Sequence, residues 1–364
     1  MSSQFDIAVI GGGPAGTAAA ITAALAGSKV LLLDRDSFPR AKVCGEFVSA
    51  ESLALLGRLL GEAHPLLTET AAIAAGRLFL GGSITETHIE PFARSIPRYE
   101  LDHALWQAAE AAGASARSGE SVAEVQGDGP FTIVTEKGKY EARALINASG
   151  RWSGVLRALQ APAGQKWIGI KAHYAAESAA KTVDLYFFRR GYCGVQPVSE
   201  GVLNVCAMVR SDVATSLEEV MEQHSALQMR SLEWSRVTEP VVTAPLLHEP
   251  PTPLTGQVLN VGDAAGFIDP FLGDGISLAL QTGARAAEAL APFIQGAAAL
   301  AQAADNYAEG YRRDVEPAFR NAARLRRMLA IAEPFPPAVA GLLKIPHITE
   351  WFLRKTRPKM AVGE

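Results

Sequence analysis

Three glycines in Gly11-Gly12-Gly13-Pro14-Ala15-Gly16 stand at GxGxxG spacing, and the chemistry which that spacing serves is the holding of a pyrophosphate. Gly11 permits a tight turn, Gly13 lets the backbone approach the phosphates, and Gly16 lets helix and strand pack closely. The helix that begins at Pro14 and Ala15 offers its N-terminus to the phosphates. Eighteen residues after Gly16, Asp34 stands beside Arg35 at the end of an apolar run, placed to accept hydrogen bonds from a ribose. These residues require a dinucleotide and do not by themselves choose between NAD and FAD.

A second set lies far along the chain. Val258–Val261 reads as a strand leading into Gly262-Asp263-Ala264-Ala265-Gly266, followed by Asp269-Pro270-Phe271-Leu272-Gly273-Asp274-Gly275-Ile276 and a long helix. Other chemistries lack their residues. Cys44, Cys193 and Cys206 are odd in number without CxxC spacing, and the seven histidines are scattered, so neither a disulfide framework nor a metal site is expected. There is no recognisable Ser/His/Asp or paired-carboxylate constellation.

The elements that must position these residues are legible as periodicity. Residues 5–10 form a short apolar run, an Ala-rich helix extends to about Ala26, Gly27 stops it, and Lys29 to Leu33 is a second apolar run, which together make a βαβ unit. Helical periodicity returns at about Ala50 to Leu60 and Tyr99 to Ala112, and residues 76–97 read as short strands around Gly81-Gly82. Strand patterns dominate from Lys166 to Val209. There Leu203, Val205, Ala207 and Val209 face one way, and Val202, Asn204, Cys206 and Met208 the other. Long helices follow to about Ile331.

With 364 residues and 48% hydrophobic content, the chain is long enough for two domains with a sizeable core. A net charge of −4 argues against a nucleic-acid partner. No apolar stretch reaches the ~18 residues of a membrane span, and the N-terminus runs almost directly into Phe5–Ile10. No signal peptide is expected, and the reading is a reduced, cytoplasmic protein. At the C-terminus, Trp351-Phe352-Leu353 precede Arg354, Lys355, Arg357 and Lys359. That pattern suits a peripheral membrane contact or a terminal helix docked on the protein.

Taken with the Gly262-Asp263 motif, the chain resembles the FAD-binding superfamily that contains p-hydroxybenzoate hydroxylase, the geranylgeranyl reductases and the flavin-dependent halogenases. Further segments carry the likeness. Phe38-Pro39-Arg40-Ala41-Lys42-Val43-Cys44-Gly45-Glu46 resembles the loop that follows the ribose-binding acid and reaches the flavin. Arg98, ahead of Leu101-Asp102-His103-Ala104-Leu105, matches an arginine that opens a helix and contacts FAD. The stretch from Asn147 to Arg157 resembles the DG-type motif of the monooxygenases, with Ser149 where Asp is usual.

The resemblance implies an α/β protein whose Rossmann-like FAD-binding domain, of the glutathione-reductase type, is interrupted by a mainly antiparallel substrate domain. Residues 1–75, 98–160 and 246–330 are expected in the first, 76–97 and 161–245 in the second, and 331–364 in a helical tail. It implies that Asp263, after Gly262, holds the ribityl chain. Gly273, Gly275 and Ile276 bring backbone N–H groups and a helix N-terminus to the flavin pyrimidine edge, where a reduced flavin is anionic, and Pro270 is expected beside the cofactor in the same turn. Arg40, Cys44, Gly45 and Arg98 are expected beside the cofactor, with Cys44 lining the flavin pocket as the single catalytic candidate.

The reaction is less sharply drawn. No WxWxIP motif supports a halogenase. The run Gly191-Tyr192-Cys193-Gly194-Val195-Gln196-Pro197 only loosely resembles the YxWxFP stretch of the geranylgeranyl reductases, with Val195 taken at the Trp position. The expectation is a monooxygenase hydroxylating a hydrophobic aromatic or polyketide-derived molecule through a flavin C4a-hydroperoxide. The alternatives are a double-bond reductase of a prenyl or polyene substrate, a halogenase, or a non-catalytic flavin-binding protein. NADPH or NADH is expected as electron donor, directly or through a separate reductase, and the protein as monomer or homodimer.

Overall fold

The structure is a computed structural model that describes residues 4–80, 82–152, 166–176, 180–246 and 250–331. The C-terminal tail and the end of the Asn147–Arg157 stretch lie outside the described residues.

Strand β1 (Gln4–Ile10), helix α1 (Pro14–Leu25) and β2 (Val30–Asp34) form the expected βαβ unit, with β1 and β2 parallel. β2 is buried throughout, as a strand covered on both faces must be. β3 (Phe47–Val48), α2 (Ala50–Leu60) and α3 (Pro65–Thr68) lead to a long hairpin, β4 (Ala71–Leu80) and β5 (Ser83–Ser95). α4 (Arg98–Ala111), β6 (Ser115–Ser118), β7 (Val122–Gln126), β8 (Phe131–Thr135) and β9 (Gly138–Asn147) return to the first sheet. Next come β10 (Trp167–Ala175), β11 (Thr182–Phe188), β12 (Gly191–Ser199), β13 (Val202–Arg210), α5 (Leu217–Met221), α6 (Ser225–Ser231), β14 (Ser235–Arg236) and β15 (Val241–Thr243). The chain closes with β16 (Leu254–Thr255), β17 (Val258–Asn260), α7 (Gly275–Ile294), α8 (Leu300–Asp314) and α9 (Glu316–Ile331).

The first sheet has the order β16-β17-β9-β1-β2-β6, with β8 on β9 and β7 on β8. β1 pairs in parallel with β2 on one side and β9 on the other, so strand order reverses beside β1. A cleft at the carboxyl ends of the strands is the physical consequence of that switch point. α1 packs on α4 and α7, and its alanines are buried on every side, which is why the helix is apolar all round.

The second sheet has the order β14-β10-β13-β12-β11-β4-β5-β3, with β15 on β10. It is antiparallel except between β4 and β11. The 76–97 segment belongs to one long hairpin rather than to short strands. Pro91, which has no N–H for a ladder, falls in the register shift between Ile73 and Ala75.

One face of this sheet packs Tyr174, Tyr186, Val195, Leu203 and Val205 under Leu217, Val220 and Leu227 of α5 and α6. Arg230 of α6 and Arg77 of β4 both bond the fully buried Asp184 of β11, pinning those helices to the sheet. The alternation read along β13 is observed. Leu203, Val205, Ala207 and Val209 are in that core, while Cys206 and Met208 line the cleft between the sheets. Among the described residues, no helix is long and apolar enough to cross a membrane.

Candidate active site

The carboxyl ends of β1 and β9 open on a cavity of about 660 Å3 that continues between the two sheets. Two helix N-termini meet it. Gly13 caps α1, Pro14 and Ala15 form its first turn, and Gly273, Gly275 and Ile276 stand at the start of α7. Their unpaired N–H groups make both places favourable for negative charge. A Cβ on Gly13 would meet nothing nearer than Arg40 Nη2 at 3.9 Å, so the backbone there is open to a ligand.

Gly11 and Gly16 are glycine for a different reason. Gly11 has φ +106°, and a Cβ on it would lie 2.2 Å from the Ala148 carbonyl oxygen at the end of β9. A Cβ on Gly16 would lie 1.8 Å from the Gly11 oxygen. Gly16 is outside the cavity lining, so its part is the packing of α1 on β1 and not contact with a cofactor.

Asp34 ends β2 at the cavity wall and accepts from Gly12 N–H at 2.6 Å, Asp36 N–H at 2.8 Å and Arg40 Nη1 at 2.5 Å. A carboxylate has about four acceptor sites, which leaves capacity for a ribose hydroxyl. Arg35 lines the same end with a largely solvent-exposed side chain. Arg40 stacks over Phe38, itself stacked on Trp106, and approaches Asp102 at 3.9 Å. Asp102 is fully buried and forks to Arg98 at 2.6 and 2.7 Å. Burial works against the Arg98 charge, but Asp102 outweighs it and holds the guanidinium ionised. A chain of charges thus connects Asp34 to Arg98 along one wall.

The Cys44-Gly45-Glu46 loop is fixed from the second sheet. Asn204 Nδ2 donates to the carbonyls of Cys44 and Gly45 at 3.2 and 2.9 Å. Glu46, fully buried with φ +62°, accepts from Lys171 Nζ, from the Arg98 N–H at 2.8 Å and is bonded to His173 Nε2 at 2.9 Å. Burial opposes its charge, yet the bonds from His173 and Lys171 hold the carboxyl below its ordinary range. The Glu46 N–H in turn donates to Cys44 Sγ at 3.3 Å. Burial pushes the Cys44 thiol up, with Arg98 opposing, so it stays protonated. Glu46, Lys171 and His173 form a cluster behind the loop that the sequence reading did not assign. Their signal was a lysine and a histidine two residues apart on an otherwise apolar strand.

Gly262 and Pro270 line the cavity with Asp263, whose carboxylate is 3.5 Å from Arg151 Nε. Arg151 lies over the Phe267 ring at 4.3 Å, and its buried Nη1 has no partner among the described residues. Burial pushes the Asp263 carboxyl up, and Arg151 opposes. The cavity therefore joins a pyrophosphate-sized cradle at Gly13, an acid at each end, an orphaned guanidinium nitrogen and a second helix N-terminus at Gly275. This donor set fits a flavin dinucleotide.

The family model described as FAD binding domain matches residues 4–322. The chain belongs to this family. It is an FAD-dependent oxidoreductase. The flavoenzyme is 29% identical over 324 residues to the menaquinone reductase of Mycolicibacterium smegmatis, covering 79% of this chain and 76% of that one. It is 27% identical over 319 residues to digeranylgeranylglycerophospholipid reductase 2 of Methanopyrus kandleri, covering 80% and 78%. A solved geranylgeranyl bacteriochlorophyll reductase-like protein from Thermoplasma acidophilum shares the fold, with TM-score 0.79 and 20% identity over 98% of this chain and 96% of that one.

Within this flavoenzyme, Val195 is fully buried in the core beneath α5 and α6, on the face turned away from the cavity. Tyr192, Gly194 and Gln196 of the same strand line the cavity instead. Counted from Tyr192 to Pro197, the Trp position of YxWxFP is Gly194 and not Val195.

Proposed function

We propose that this flavoenzyme reduces a carbon–carbon double bond in an apolar, prenyl-type substrate. FAD, when bound, supplies the hydride. Gly13, Pro14 and Ala15 hold its pyrophosphate, Asp34 a ribose and Asp263 the ribityl chain, while Gly273, Gly275 and Ile276 meet the pyrimidine edge and Arg98 supports the ring from the opposite wall. The chain must then supply a proton. The observation that carries the reading is the Cys44 thiol, which lines the cavity and is held protonated by burial. Because the Glu46 N–H already occupies a sulfur lone pair, the S–H is left to point elsewhere. Glu46 stays ionised and positions the loop.

Similarity to two proteins named as reductases supports the same choice. Hydroxylation of an aromatic or polyketide-derived molecule is the second reading, favoured by a departure from YxWxFP that falls on the cavity-lining Gly194. NADPH or NADH is proposed as donor. Anaerobic addition of either should bleach the yellow protein, and failure of both assigns the supply to a separate reductase. Farnesol added next under argon should restore the yellow colour. A flavin that stays bleached until oxygen is admitted would refute the reductase.

A further inference from the structure

Three glycines of the second sheet line the cavity without a positive φ, Gly76, Gly169 and Gly194, and a Cβ has the most room at Gly76. Thr87 of β5, Gly76 of β4 and Val183 of β11 stand in one cross-strand row, with Leu78 and Leu185 in the next. Gly76 is mid-strand and is not among the glycines of positive φ. A Cβ there would meet only Thr87 Cγ2 at 3.7 Å, Val183 Cγ1 at 3.8 Å and Ile89 Cδ1 at 3.9 Å, all ordinary contacts. A strand-interior glycine weakens a sheet, and it commonly marks close approach of something else. Here Gly76, Leu78, Thr87, Ile89, Val183 and Leu185 all line the cavity, so the missing side chain leaves a hollow in its floor. The hollow is apolar. Thr87 turns its methyl to it, and Arg77 is bound to Asp184, which alternates with Val183 and Leu185 on β11.

We propose that the hollow over Gly76 is the subsite for the branched hydrocarbon end of the substrate, and that Gly76 sets the length of chain the enzyme accepts. The substrate class rests on the reductase reading, but the subsite is tested by binding alone. A side chain as large as valine would displace about three buried carbon groups of a long ligand, enough to weaken it by tenfold or more.

Farnesol and the shorter geraniol are titrated into the oxidised FAD-loaded protein and followed by the change in flavin absorbance. Gly76→Val should weaken farnesol at least about tenfold and geraniol less than about twofold, with Gly76→Ala intermediate. Glu86→Gln, exposed beside Arg77 on the other face of the hairpin, should leave both affinities unchanged, and geraniol binding retained by Gly76→Val guards against a variant that folds poorly. Equal effects of Gly76→Val on the two alcohols, or no preference of the native protein for farnesol, would each overturn the subsite. Gly76-dependent binding without any reduction of farnesol would sustain the subsite and refute the reductase. Reduction of farnesol with an affinity indifferent to Gly76→Val would do the reverse.

Discussion

At the scale of single residues, the proposed reading assigns some cleft groups to the cofactor and others to the substrate. Asp263 stands beside Arg151, and Gly13 stands at the cap of α1. Asp263→Ala removes an acceptor, and Gly13→Val puts branched carbon where the backbone is open. Each should give folded protein whose FAD affinity falls at least about tenfold, the loss expected of one charge-assisted hydrogen bond. Retention of stoichiometric yellow cofactor by both through gel filtration would contradict the assignment. Cys44 belongs to the second class. Cys44→Ala should leave FAD binding intact and lower the rate of substrate-dependent reoxidation by about 100-fold, within the usual range for a positioned proton donor, with KM little changed. Unchanged turnover would return Cys44 to a packing role.

At the scale of elements, α5 and α6 cap the outer face of the second sheet and bury His224 against Phe79 and Tyr186. Both ring nitrogens are buried with no hydrogen-bond partner among the described residues, and burial lowers the imidazole from its ordinary 6.5. The folded state thus favours neutral His224 while the unfolded chain takes up a proton more readily. Stability contributed in this way is present above pH 6.5 and is lost as pH falls below that value towards the lowered folded one. Glu46 acts only at lower pH, because its carboxyl is depressed below 4.5. Denaturant titrations between pH 7 and pH 5 should show falling stability for the native chain and a flatter profile for His224→Phe. Equal slopes would remove His224 as the cause. These elements also show what a sequence withholds. The βαβ unit, the Gly262-Asp263 turn and the alternation along β13 are local patterns, and they were readable. The floor over Gly76 depends on parallel pairing of β4 with β11, about a hundred residues apart, and no local pattern announces that register. Lys171 and His173 meet Glu46 only because a segment more than a hundred residues away is brought to them, which no local pattern shows.

At the scale of the whole molecule, the two sheets share one cavity, and the loop carrying Cys44 and Glu46 is the seam between them. The interleaving of the chain follows from this geometry, since β3 of the second sheet departs from the βαβ unit and α4 returns to it. A monooxygenase and a reductase could both be built on such a frame, and they differ in what is added to the substrate. The decisive measurement is the mass of the product formed when the NADPH-reduced, FAD-loaded enzyme meets farnesol, once under argon and once under heavy-isotope oxygen. The reductase predicts a product heavier by two hydrogens in both atmospheres, with no oxygen label. Product that forms only with oxygen and carries one labelled oxygen atom would contradict it.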